Sequence, residues 1–222
     1  MKQIGRLFKT KLVVIISFLL VSGIFIVAAQ ERAKGIVASI RDGKLERLVA
    51  RGWKQLNVRQ QVSQGERVRT DKTAVAIIEF PAIARFVMAP SSEIELGKDP
   101  KNFQTKLDRG ALWLKSDLSK GARASITTAM ATAGIRGTAF SVCYDGKNYC
   151  VCTCSGEVEV TSGDGRAIKV PKGQYVAFTS GSSVPEKPQS AIPLLAKTGT
   201  AFDYCFNCHI VGGKGELKPD RK

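Results

Sequence analysis

The densest chemistry in this 222-residue chain lies at Cys205-Phe206-Asn207-Cys208-His209, two thiols three residues apart with an imidazole beside the second. That spacing is the one by which c-type haem is attached covalently: both thiols add to the haem vinyl groups, and the adjacent imidazole reaches the iron as an axial ligand. His209 is the single histidine of the chain, so the motif concentrates all of its imidazole chemistry at one point. The same thiols also suit a redox disulfide, an inert disulfide or partial metal ligation. Thirteen residues follow His209 and none is Met. Any haem here is therefore expected to be packed on the rest of the chain with Met88 or Met130 as a second axial ligand, completed by a partner subunit, or exposed and five-coordinate.

Four further cysteines, Cys143, Cys150, Cys152 and Cys154, fall in SVCYDGKNYCVCTCSG. This reads as a hairpin with Gly146-Lys147 at the turn centre, so that Cys143 faces Cys150, and strand alternation puts all four thiols on one face. Directly opposed Cβ atoms lie about 4.5–5.5 Å apart, which makes Cys143 and Cys150 a disulfide candidate. An all-reduced core and a metal site are the alternatives. The last is awkward, because residues two apart on a strand are about 7 Å apart while zinc holds its sulfurs at about 2.3 Å. With one histidine and no nucleophile–base pair in view, no catalytic residue is assigned and the chain is not expected to be an enzyme.

The elements that position these groups begin with an export signal. Lys2, Arg6, Lys9 and Lys11 precede an uncharged apolar run from Leu12 to Ala29. Basic flanks stay cytoplasmic while the apolar run enters the bilayer, so the chain beyond Gln30 is expected in the periplasm or on the outer face of the inner membrane. Val27 and Ala29 suit cleavage before Gln30. The run is also just long enough to span as an uncleaved anchor. Removing those four basic residues from the formal charge of +15 leaves +11 on the exported part. Lys and Arg are scattered, among them Arg47, Arg51, Arg67 and Arg69. That reads as a solvated basic surface or as attraction to an anionic lipid surface, a glycan or an acidic envelope protein. Nucleic acid is not expected outside the cytoplasm.

From Gly35 to Phe178, short alternating segments are punctuated by Gly and Asp, with little helical spacing. The pattern predicts a mainly β domain over 30–178, closed as a sandwich, a roll or a short β-solenoid, since a sheet with one apolar face must bury it. An apolar helix over 1–29 precedes it. TSGSSVPEKPQSAIP, from Thr179, reads as a linker over 179–193, and 194–222 as a short helical or irregular tail carrying the CxxCH motif.

Several segments together resemble the FecR domain of bacterial envelope proteins: GERVRTDKTAVAIIEF, APSSEIEL, LDRGALWL, ATAGIRGTAFSV, SGEVEV and KGQYVAF, in the family's order. ATAGIRGTAFSV looks like that family's strand, Arg136-Gly137-Thr138 turn and strand. Two departures stand out. PAIAR replaces the family's short Asp-Gly-type hairpin after Phe80. About eleven residues precede the apolar run, too few for the cytoplasmic sigma-factor-holding domain of signalling members. The resemblance therefore implies a stand-alone exported FecR domain, a binding, sensing or assembly module without catalysis. A shorter likeness, of AKTGTAFDYCFNCHIVGGKG to the opening helix of a class I cytochrome c, implies an alternative: periplasmic electron transfer with haem on Cys205, Cys208 and His209.

Overall fold

A computed structural model describes residues 33–191 apart from 117, 120, 136, 137 and 183. The apolar N-terminal run, the Arg136-Gly137 turn and the Cys205-Cys208-His209 motif lie outside the described residues. Those described form strands and no helix, and none of them makes a helix long and apolar enough to cross a membrane.

Among the described residues, seventeen strands succeed one another in chain order. The first are β1 (Lys34–Arg41), β2 (Leu45–Val49), β3 (Gly52–Leu56), β4 (Gln61–Ser63), β5 (Arg67–Thr70) and β6 (Val75–Phe80). Next come β7 (Ala84–Met88), β8 (Glu93–Glu95), β9 (Asn102–Ser116), β10 (Arg123–Thr127), β11 (Ala131–Ile135) and β12 (Ala139–Tyr144). The last are β13 (Asn148–Ser155), β14 (Glu157–Ser162), β15 (Ala167–Pro171), β16 (Gln174–Thr179) and β17 (Gln189–Ser190). The stretch read as a linker thus carries one more short pairing, Gln174↔Ser190 and Tyr175↔Gln189.

Pairing sorts the strands into two ladders. The front ladder runs β4-β1-β6-β7-β9-β12-β13-β16-β17. The back ladder runs β3-β2-β5-β8-β9-β10-β11-β14-β15. The chain shuttles between them, and β9 belongs to both. Its first half pairs β8 and, in parallel, β10, while its second half pairs β7 and β12, so the two ladders form one continuous sheet. Their inward side chains meet in a single apolar core. Phe103, Phe80 and Phe86 pack there with ring centroids 5.2–6.2 Å apart.

The crossing in β9 has a local cause. Phe103, Thr105 and Leu107 point inward before it, Leu112 and Leu114 after it, so the inward parity flips. Opposite, Glu93 pairs Arg109 while the next residue, Ile94, pairs Leu107, which leaves Asp108 as an extra residue in β9. Such a bulge shifts alternation by one and bends the strand. Gly110 comes next but one at φ +96, and a Cβ there would overlap Ser92. Ser92 Oγ in turn bonds the Ala111 backbone N and O, both at 3.0 Å. The hairpin after Phe80 also forms: Ala84 pairs back to Phe80, and Ala82 adopts the left-handed conformation, φ 57, that an Asp-Gly turn would give to its glycine.

Candidate functional site: the outer face of the front ladder

Alternation that buries Ile78, Phe86, Leu112, Val142 and Val151 in the core must turn their neighbours outward. Register aligns those neighbours into a row across the front ladder: Ile77, Val87, Trp113, Ser141, Cys152, Tyr175 and Gln189. Beside it stand Ala111, Cys143, Cys150 and Ala177, again in register. Apart from Tyr175 and Gln189 at its far end, the row is apolar or small and buried. Trp113, Ser141 and Cys152 are each 1% exposed, Val87 2%. In β12 all six residues are buried, and in β13 so are Tyr149 to Cys154. Strands buried on both faces lose their alternation, which is what separates this face from a solvated one.

The back ladder's outward face shows the contrast. Arg67 bonds Glu93 and Asp108, both at 2.7 Å, Arg69 bonds Glu46 at 2.8 Å, and the Arg69 guanidinium lies 4.1 Å over the Trp53 ring. Those side chains pair with one another beside water, although Arg67 Nε is itself buried with no partner among the described residues. On the front face, Trp113 Nε1 and Ser141 Oγ, register partners on β9 and β12, are buried with no hydrogen-bond partner among the described residues. Leaving such groups unpaired costs about 1–3 kcal/mol each. At the hairpin end of the face, Ser91, Arg109, Gly110, Cys143, Tyr144 and Asp145 help line a groove of about 710 Å³.

The hairpin itself forms as the alternation requires. Cys143 pairs Cys150 and Ser141 pairs Cys152, with Gly146 at φ +96 in the turn. The Asn148 side-chain amide donates to Asp145 Oδ2 at 2.8 Å, and with the backbone N–H groups of Asn148 and Lys147, which donate to Oδ1 at 2.6 and 2.9 Å, it holds the carboxyl down to about 2. Cys143, Cys150 and Cys152 cluster with Ala191, whereas Cys154 packs one row over with Trp113, Ala139 and Val87.

Asp71 is lowered, chiefly by the Thr73 backbone N–H, and Asp164 chiefly by Arg166, so the perturbed carboxyls are held ionised in exposed turns. Burial pushes the Tyr149 phenol up, with Cys150 and Cys143 adding to it, and its ring stacks on Phe178 at 4.9 Å. No group of three or more His, Cys, Asp or Glu among the described residues is placed to hold a metal.

One expectation is corrected. Met88 is fully enclosed in the core between the ladders and cannot present its sulfur to an iron outside; Met130 is partly buried and packs against that core. Two residues of the face, Trp113 and Ser141, escaped the sequence reading. Their signal was the unbroken apolar run Ala111-Leu112-Trp113-Leu114, which has too many apolar residues for a strand with one wet face.

No curated protein shows significant sequence similarity to the chain. Two crystal structures described as those of a proposed anti-sigma factor from Parabacteroides distasonis match the chain, the first of them showing a similar fold. The 2.50 Å structure gives a TM-score of 0.52 at 11% identity over 59% of this chain and 62% of that one. The 1.65 Å structure gives 0.48 at 12% identity over 60% of each. The chain thus spans about three fifths of the length of those structures. Residues 66–159, from the start of β5 into β14 and including the β9 crossing and the cysteine hairpin, match the family described as FecR protein.

Proposed function

We propose that the chain is a non-catalytic regulatory or sensing module of the bacterial envelope that acts by binding protein through the outer face of its front ladder. The observation that carries this reading is the groove of about 710 Å³ at the hairpin end of that face, lined by Ser91, Arg109, Tyr144 and Asp145 among others, beside an apolar row already buried within the chain. The FecR match over 66–159 supports a module that regulates by contact. The basic-flanked apolar run before Gln30 supports the envelope as its place. A photoreactive amino acid at Ala38 or Tyr175, half-buried on the rim of the face, is expected to yield in living cells a covalent adduct with one envelope protein of defined mass. The same probe at Gln104, outward on the back ladder, is expected to give none. Adducts only to lipid, or equal yields from all three positions, would overturn it.

A second reading is favoured by one observation, the only histidine of the chain standing in a CxxCH motif. On that reading Cys205 and Cys208 hold a haem c by thioether bonds and His209 ligates its iron, and the group supplies one-electron transfer. Haem staining of protein made with cytochrome maturation machinery decides it: a band lost in Cys205→Ala/Cys208→Ala supports the haem, and no band removes it.

A further inference from the structure

Gly134 stands inside β11, and nothing in the fold asks for a glycine there. Its backbone is not left-handed, and a Cβ built on it would meet no atom within 4 Å. The other described strand glycines each have a local reason: Gly52 and Gly110 are at positive φ, and Gly35 lies against the Phe80 ring. A glycine inside a strand weakens it, and an open one marks a place where another molecule can approach the backbone.

A trough of about 690 Å³ surrounds it on the back ladder. Alternation that buries Ala124, Ile126, Val158 and Val160 in the core turns Ser125 and Glu159 outward. Register then sets Ser125, Gly134, Glu159 and Lys169 in a row across β10, β11, β14 and β15. Arg123, two residues before Ser125, and Glu157, two before Glu159, also line the trough.

Its charges are sorted by position. Arg123 stands on the β10 side, and its side chain makes no ion pair or hydrogen bond among the described residues. On the far side, Lys169 Nζ is held by Glu157 at 3.0 Å, which raises the pKa of the ammonium, and the Glu159 charge adds to that field. One lysine faces two carboxylates there, so that wall stays anionic while the β10 wall is cationic. A trough of this kind suits neither a polyanion nor a polycation. It suits a ligand with a carboxylate at one end and an ammonium at the other. From β10 to β14 is two strand spacings, about 10 Å, which is the length of about three extended residues.

We propose that this trough binds a short peptide of about three residues with free termini, its carboxylate on Arg123, its ammonium on Glu159, and its backbone laid over Gly134 beside Ser125. The site belongs to the back ladder and is separate from the groove at the hairpin end of the front ladder. Both ionic contacts are exposed, so binding is weak and falls with salt.

The test titrates trialanine into the isotope-labelled full-length chain at low ionic strength and follows backbone amides by NMR. Saturable shifts are expected at Ser125, Gly134 and Glu159. N-acetyl-trialanine and trialanine amide, which lack the ammonium and the carboxylate in turn, should each bind several-fold more weakly. Arg123→Gln should weaken trialanine to the level of the amide and leave binding of the amide unchanged. Gly134→Val places its side chain in open space, so it should keep or raise the melting temperature while the shifts at Ser125 and Glu159 are lost. No saturable shift, equal binding of all three peptides, Gly134→Val binding as well as wild type, or shifts confined to the front ladder would each overturn the proposal. A failure here leaves the cellular cross-linking from the front ladder untouched, because the two tests read different faces.

Discussion

Gly110→Ala tests the account of how β9 passes from one ladder to the other. Two costs add. An alanine at φ +96 is strained by about 1–2 kcal/mol. Its Cβ would also press on Ser92, whose own Cβ would stand only 2.7 Å away, and overpacking of that kind costs about 1–3 kcal/mol. Ser92 cannot retreat freely, because its Oγ is tied to both backbone groups of Ala111 and its N–H donates to Thr70 Oγ1 at 2.9 Å. The sum is about 2–5 kcal/mol. Gly165→Ala is the control: φ is +83, but nothing lies within 4 Å of the new Cβ, so only the backbone strain of about 1–2 kcal/mol applies. With a urea dependence of about 2 kcal/mol/M for a domain of this size, the midpoints of the two variants should differ by about 1 M. Adding Ser92→Gly should recover part of the Gly110→Ala loss, seen as non-additivity in a double-mutant cycle. Equal midpoints for Gly110→Ala and Gly165→Ala would refute the steric part of the argument.

Single sites elsewhere carry their own expectations. Ala82→Gly should stabilise by up to about 1 kcal/mol, because it relieves a left-handed alanine in the β6–β7 turn; a lower melting temperature would contradict the turn geometry. Asp145 has a folded pKa of about 2, below its ordinary 3.8, so its contribution to stability is present above about pH 4 and is lost as pH falls towards 2. Urea midpoints of the wild type and Asp145→Ala should therefore differ at pH 7 and converge near pH 2; a constant gap would assign the loss to something other than the carboxylate. Mild oxidation should join Cys143 to Cys150, opposed in register, and closing so short a loop adds about 2–3 kcal/mol. Unreduced peptide mapping that pairs either one with a different cysteine would overturn that assignment.

Sequence by itself determined what is local. Alternation placed the strands, and the Asp145-Gly146-Lys147 turn set the cysteine hairpin in register, because an exposed two-stranded turn is specified by its own residues. The FecR likeness could be read from segments in order without knowing how they meet. Tertiary structure decided the rest. That β9 serves both ladders depends on Asp108 standing as an extra residue against β8, a fact of pairing between strands that neighbours of Gly110 in sequence do not reveal. Ala82 could take the glycine's place in the β6–β7 turn because β6 and β7 pair on both sides of it and hold it there. Met88 looked available until the inward parity of β7 enclosed it. Trp113 and Ser141 became partners only through the β9–β12 register, since no sequence rule joins residues 28 positions apart. The burial of that face is likewise a property of the folded chain, because what a strand turns outward is local while what lies over it is not.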